Sequence, residues 1–364
     1  MKVIFRTDAS LAIGTGHVMR CLTLARALRK KGYECLFICR EHVGNLNALI
    51  QSEGFTLCSL SLGHKCDQEL THAHWLGATQ EQDAEVCAPL LAQLQPGWLI
   101  VDHYALDARW ESLLKPYYRH LMVIDDLADR PHQCDLLLDQ TFGRDGADYR
   151  VLVPSRCQLL CGSDYALLRP EFAALRDLSL QRRTNPRLRH LLITLGGVDK
   201  DDATGQVLEA LRGSLLPPDC RITVVMGSTA PWLSAVEIKA LDMPWPTQVL
   251  VGVSKMAELM ADSDLAIGAA GATSWERCCL GLPTITLILS DNQREVARNL
   301  RAVGVTELID LSQSIGDRLP ELLKSFIQDP DALSTISAAA ARITNGHGAL
   351  STIQVMENGV EQAC

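Results

Sequence analysis

The sequence predicts an α/β protein of two Rossmann-like domains facing a cleft, and three observations carry that prediction. The chain has 364 residues and a mass of 39.9 kDa, more than the ~250–300 residues one core usually serves. Short runs rich in Ile, Leu and Val alternate with helical periodicity nearly end to end, the rhythm of a parallel sheet with right-handed crossover helices. Around 166–190, basic residues and two prolines in ALLRPEFAALRDLSLQRRTNPRLRH break the rhythm. The expected organisation is an N-terminal domain over 1–165, a linker over 166–190, a C-terminal domain over 191–345 and a helical segment over 346–364.

In order along the first half, the strands expected are KVIFRTD (2–8), CLFICR (35–40), TLCSL (56–60), WLIVDH (98–103), LMVIDD (121–126) and CDLLLDQ (134–140). Helices fit at 18–31, 44–53, 83–94 and 107–118. The second series runs HLLITLGG (190–197), RITVVMG (221–227), QVLVGV (248–253), DLAIGAAG (264–271), PTITLIL (283–289) and ELIDL (307–311). Its helices are expected near 202–213, 255–262, 272–281, 292–303 and 317–328, followed by a helical tail near 331–344 and 348–360. Two such domains in tandem place ligands at the carboxyl ends of their strands.

Composition removes several classes of function. A 47% hydrophobic and 21% charged chain is an ordinary folded one. Lys and Arg total 34 against 43 Asp and Glu, a net charge of −9 with a pI near 5.6, so a nucleic-acid or anionic-membrane partner is not expected. Arg6 and Asp8 fall where a signal peptide needs an apolar stretch, and apolar runs such as LPTITLIL (282–289) are far short of the ~20 residues that span a bilayer. A cytoplasmic protein follows. The 13 cysteines form no C-x-x-C pair and read as reduced core thiols, among them Cys35, Cys39, Cys278 and Cys279.

The densest chemistry lies in IFRTDASLAIGTGHVMRCLTLARAL. A strand ends at Asp8, a loop carries Gly14 and Gly16, and His17 opens a helix. The helix N-terminus penalises an imidazolium there, so His17 is either a neutral general base or a residue that caps its own helix. In LITLGGVDKDDATG, Gly196-Gly197 precede another helix start. In DLAIGAAGATSWERCCLGLP, the loop Gly271, Ala272, Thr273, Ser274 leads into a helix with Glu276 one turn inside. Small residues admit a diphosphate against a helix start. Glu276 reads as a ribose acceptor or as a first-turn acid that suits the helix dipole. Asn292 and Gln293 open a further helix, where capping would account for one of them.

Other clusters are discounted. His64, Cys66, His72 and His74 do not have zinc spacing, Asp125-Asp126 read as a strand end rather than a magnesium site, and Cys278-Cys279 within a helix are not a redox pair. Met256 walls a base pocket or belongs to the core.

RTDxSxxIGxGHVMRCLTLA (6–25), IVDHY (100–104), CGSDYALLRPEF (161–172), LGG (195–197) and GATSWE (271–276) together resemble the UDP-2,4-diacetamido-2,4,6-trideoxy-β-L-altropyranose hydrolases of pseudaminic acid biosynthesis. That family is similar in architecture to the GT-B glycosyltransferases, including the N-acetylglucosaminyltransferase of peptidoglycan synthesis. The resemblance implies metal-independent, inverting attack of water on the sugar C1, without a cofactor, releasing UDP and 2,4-diacetamido-2,4,6-trideoxy-L-altrose for flagellin glycosylation or a surface polysaccharide. It implies that His17 is catalytic, that Tyr104 lines the sugar site, and that Asp8 neighbours the sugar or orients His17. Glu276 matches the ribose-binding acid and 271–274 the diphosphate site. Arg6, Gly14, Gly16, Gly196, Gly197, Asn292 and Gln293 complete the expected substrate contacts. The final helix is expected to pack back on the first domain. A UDP-sugar and water are the expected partners of a monomer. A GT-B glycosyltransferase with a carbohydrate acceptor and a non-catalytic UDP-sugar sensor are the alternatives.

Overall fold

The computed structural model of the chain describes residues 1–63, 69–310 and 313–361. It divides into two compact units, Met1–Leu167 with 347–361, and Leu168–Gly346. His64 and Cys66 lie outside the described residues. Among the described residues no helix is long and apolar enough to cross a membrane.

The first unit is a seven-stranded parallel sheet of β1 (Lys2–Thr7), β2 (Glu34–Arg40), β3 (Thr56–Leu60), β4 (Trp98–Asp102), β5 (His120–Ile124), β6 (Leu136–Asp139) and β7 (Gln158–Cys161), in the order β3-β2-β1-β4-β5-β6-β7. Its central strands are buried on both faces, which is why they read as continuous apolar runs. Side chains alternate between two cores. Val3, Phe5 and Ile100 pack with Val18 and Leu22 of helix Gly16–Lys30 and with Ile353 and Met356 of helix Gly348–Glu361. Ile4, Leu99 and Val101 pack on the other face with Leu91 of helix Gln80–Leu94 and Trp110 of helix Ala108–Leu114.

The second unit repeats the plan with β8 (His190–Thr194), β9 (Arg221–Met226), β10 (Thr247–Val251), β11 (Leu265–Ala269), β12 (Thr284–Leu287) and β13 (Thr306–Ile309), all parallel, in the order β10-β9-β8-β11-β12-β13. In both sheets the order reverses once, between β1 and β4 and between β8 and β11. Loops that leave such paired strands diverge to opposite faces and leave a crevice at the carboxyl edge.

Four elements differ from expectation. The four-residue strand β7 and the helix Leu233–Leu241 are additional. Within the stretch read as a linker, Pro170–Arg182 is a helix of the second unit, opened by proline at its first position. Helix 107–118 shortens to Ala108–Leu114 and passes into a 3₁₀ turn at Lys115–Tyr117, where Pro116 has no N–H to give.

Candidate functional site

The switch point of the first sheet assembles a charged network. Helix Gly16–Lys30 begins beyond the β1 loop, where Gly14 takes a positive φ of 81° and closes a turn on Ser10 O at 2.8 Å. This start has no side-chain cap and no acid in its first turn. His17 and Arg20, one turn apart, both reach Asp102 at the end of β4. His17 Nδ1 lies 2.6 Å from Asp102 Oδ1, and Arg20 donates Nε to Oδ2 at 2.6 Å and Nη2 to Oδ1 at 2.7 Å.

Burial alone would raise the Asp102 pKa, but the Arg20 guanidinium and His17 outweigh it and hold the carboxyl well below the usual range. An ionised carboxylate only accepts, so the hydrogen of His17 sits on Nδ1. The Arg20 Nη2 to His17 Nδ1 approach of 3.3 Å is then a meeting of two donors at one carboxylate, not a bond. Nε2 has no hydrogen-bond partner among the described residues and carries the free lone pair.

The network continues outward. Arg20 Nη1 donates to Asp126 Oδ2 at 2.5 Å, and the same oxygen accepts from Tyr104 Oη at 2.9 Å. The Tyr104 ring meets His17 edge-on, centroids 4.5 Å apart at 85°. Burial, with Asp126 beside it, pushes the Tyr104 hydroxyl well above its usual pKa, so it remains a donor. His17 and Tyr104, expected in one site, are thus brought together, and the sequence reading missed Asp102, Arg20 and Asp126. Asp102 stood within the quoted IVDHY segment.

Asp8 and Arg6 are corrections. Asp8 does not touch His17. It is fully buried, pairs with Arg6 Nη1 at 2.8 Å, accepts from the Arg40 amide at 2.6 Å and faces His103 Nε2 at 3.3 Å. Arg6 is equally buried, with Nε and Nη2 on Asp83 at 3.1 and 2.7 Å. No surface of either side chain is left for a substrate. Asp125 is held by Arg130 at 2.9 Å and by Tyr149 Oη at 2.9 Å.

In the second unit the two glycine loops differ. After β8, Gly196 adopts φ of 106°, but the next helix, Ala203–Arg212, is capped by its own acids. Asp199 accepts from the amides of Ala203 and Thr204, both at 2.9 Å, and Asp202 from that of Gly205 at 3.1 Å. Those donors, expected to face a ligand, are already satisfied, because two acids precede the helix and sit closer to its amides than any solute. Gly196 and Gly197 themselves remain exposed.

After β11, Gly271 and Ala272 are exposed, and a Cβ on Gly271 would meet open space. Helix Thr273–Cys279 has no side-chain cap. The Ser274 and Trp275 amides donate to Gly271 O and Ala272 O. Within the loop expected at the diphosphate, the Thr273 and Ser274 hydroxyls accept from Arg277 at 3.0 and 3.1 Å, and Arg277 also donates to Ala269 O at 2.7 Å. Arg277 is buried, which pulls its pKa down to about 10. Glu276 faces Arg169 at 3.5 Å, and burial raises its carboxyl pKa. Gln293 Oε1 accepts from the Leu289 amide at 3.0 Å. The Asn292 side chain lies outside the described residues.

Comparison with known proteins matches this architecture. Residues 221–352 are similar to the glycosyltransferase family 28 C-terminal domain. The chain is 27% identical over 84% of its length to the UDP-2,4-diacetamido-2,4,6-trideoxy-β-L-altropyranose hydrolase of Campylobacter jejuni, covering 97% of that protein. It is 24% identical over 86% of its length to an uncharacterised protein of Methanocaldococcus jannaschii, of which it spans 61%. The fold superposes on MurG of Acinetobacter baumannii with a TM-score of 0.70, at 14% identity, across 98% of this chain and 99% of that one. The chain therefore has a GT-B-like fold of two Rossmann-like units, matches the family 28 C-terminal domain over residues 221–352, and is similar along most of its length to the Campylobacter hydrolase.

Proposed function

We propose that this chain is an enzyme acting on a UDP-sugar, and that it hydrolyses UDP-2,4-diacetamido-2,4,6-trideoxy-β-L-altropyranose to UDP and 2,4-diacetamido-2,4,6-trideoxy-L-altrose, with inversion and without a metal. The observation that carries the reading is the His17–Asp102 pair, with Nδ1 tied at 2.6 Å and Nε2 free. It is supported by the similarity to the Campylobacter hydrolase.

In this mechanism His17 Nε2 takes a proton from water as the water oxygen bonds to C1. The bond from C1 to the diphosphate oxygen breaks, and its electron pair leaves with UDP. Asp102 stays ionised and steadies the imidazolium that forms. The loop 271–274 takes the diphosphate and Glu276 the ribose, while the buried Arg277 charge inside that loop offsets charge developing on UDP. The family 28 match favours one second reading, transfer of the sugar to a carbohydrate acceptor.

Incubation with the UDP-sugar in excess EDTA separates the readings. Hydrolysis gives equimolar UDP and free sugar, transfer gives UDP only when an acceptor is added, and a sensor binds without release. His17→Asn is expected to lower kcat by about 10²–10⁴-fold with UDP affinity unchanged. Turnover that vanishes with EDTA and returns with magnesium would overturn the metal-free mechanism.

A further inference from the structure

A cluster of rings beside His17 has no part in the proton chemistry. The short turn Ala73–Trp75 sets the Trp75 indole nearly parallel to Tyr104, with centroids 5.6 Å apart at 24°. His72 lies 4.3 Å from Trp75 and 5.5 Å from Tyr104, and the His17 ring is 6.3 Å from Trp75. Tyr104 is pinned by Asp126 through its hydroxyl and lies under the Arg130 guanidinium at 5.7 Å, so one side of the cluster is rigid.

The core aromatics Phe5, Phe37 and Trp110 are wholly buried, whereas His72, Trp75 and Tyr104 each keep part of their surface open. Burial lowers the His72 pKa, which makes it an uncharged ring at neutral pH. The Trp75 indole N–H has no acceptor among the described residues. Open ring faces with a spare donor beside a candidate base suit a ligand with one apolar face and a few hydrogen-bonding groups.

We propose that Trp75 and His72, with Tyr104, hold the hexose of the donor and select a deoxygenated, N-acetylated hexose over a fully hydroxylated one. This rests on the reading of the site as one for a UDP-sugar. The methyl of a 6-deoxy sugar and the methyls of two acetamido groups lose little on leaving water for ring surface, while hydroxyls in their place would be stripped of water without replacement partners. The indole N–H is free to donate to an acetamido carbonyl.

The test is calorimetric titration of slow-turnover His17→Asn protein, with Trp75 intact or replaced as Trp75→Ala or Trp75→Phe, by UDP, UDP-glucose and the UDP-diacetamido-trideoxy sugar, with folding checked by circular dichroism. Trp75→Ala is expected to weaken the acetylated donor roughly ten- to hundredfold, leave UDP unchanged and abolish the preference over UDP-glucose. Trp75→Phe should restore most of the affinity. If wild type turns over the acetylated donor and folded Trp75→Ala binds it equally well, the ring proposal fails and the UDP-sugar reading stands. If the protein with Trp75 intact binds none of the three, both fail.

Discussion

At the scale of single residues, the distinction that matters is between two aspartates at the carboxyl ends of neighbouring strands. Both follow apolar runs, and nothing in the local pattern separates them. The register decides, since Thr7 pairs with Asp102 across β1 and β4 and Asp8 falls one position further on. Asp8 is claimed by Arg6 and the Arg40 amide, leaving Asp102 to face helix Gly16–Lys30. His17 and Tyr104 each sit in a distinctive short motif, whereas their carboxylate partners, Asp102 and Asp126, lie 85 and 22 positions away in the sequence and are gathered only by the fold. Asp102→Asn should therefore lower kcat by about 10³–10⁴-fold with UDP affinity intact, since an amide no longer compels the hydrogen onto Nδ1 and leaves the Arg20 charge unmatched. Asp8→Asn should lower stability first. A folded Asp102→Asn enzyme with wild-type kcat would contradict the assignment.

At the scale of elements, parallel strands were legible because burial on both faces makes them uniform apolar runs, and short or charged elements were not. The helix Pro170–Arg182 falls within 166–190, where basic residues and two prolines break the strand rhythm and predict a linker. Those side chains are not solvated linker charges. Arg176 donates to the carbonyls of Cys279, Ala341 and Thr344, and Arg183, just past the helix, to those of Met260, Ser263 and Leu280. Most of these carbonyls lie at helix ends, where they lack intrahelical partners and attract cations. Arg6, inside the first unit, is instead held by carboxylates. It and Arg40 meet on Asp83 of helix Gln80–Leu94, which also accepts from Trp110 Nε1 at 3.0 Å, so one carboxylate ties two strands and two helices. Asp83→Asn leaves two buried guanidinium groups short of charge and should cost about 3–5 kcal/mol in urea denaturation. Asp83→Asn combined with Arg6→Met should recover part of that loss. A single variant within 1 kcal/mol of wild type would mean that hydrogen bonding, rather than charge, holds this joint.

At the scale of the whole molecule, the two units repeat one strand order, and the residues assigned to chemistry and to nucleotide stand at the carboxyl edges of separate sheets. The first unit is discontinuous, because the chain leaves it at Leu167 and returns at His347. The return helix Gly348–Glu361 is part of its core, with Ile353 and Met356 each 1% exposed among residues that include Val18 and Leu22 of the His17 helix. Its first residue lies against the backbone of Tyr165 and Ala166, where no Cβ would fit. Fully burying a side chain of that size contributes roughly 1.5–3 kcal/mol, so losing two removes a sizeable part of the ~5–15 kcal/mol that holds a domain. A chain ended at Gly346 should melt in two transitions, the first unit lowered by ten degrees or more, given ~2–4 °C per kcal/mol for a unit of this size. The second unit should be unshifted. If nucleotide recognition belongs to the second unit, the shortened chain should still bind UDP by calorimetry while losing turnover, because the His17 helix loses the face that supports it. Loss of UDP binding with the second transition intact would move nucleotide recognition out of the second unit. A wild-type melt with full turnover would show that the return helix is dispensable.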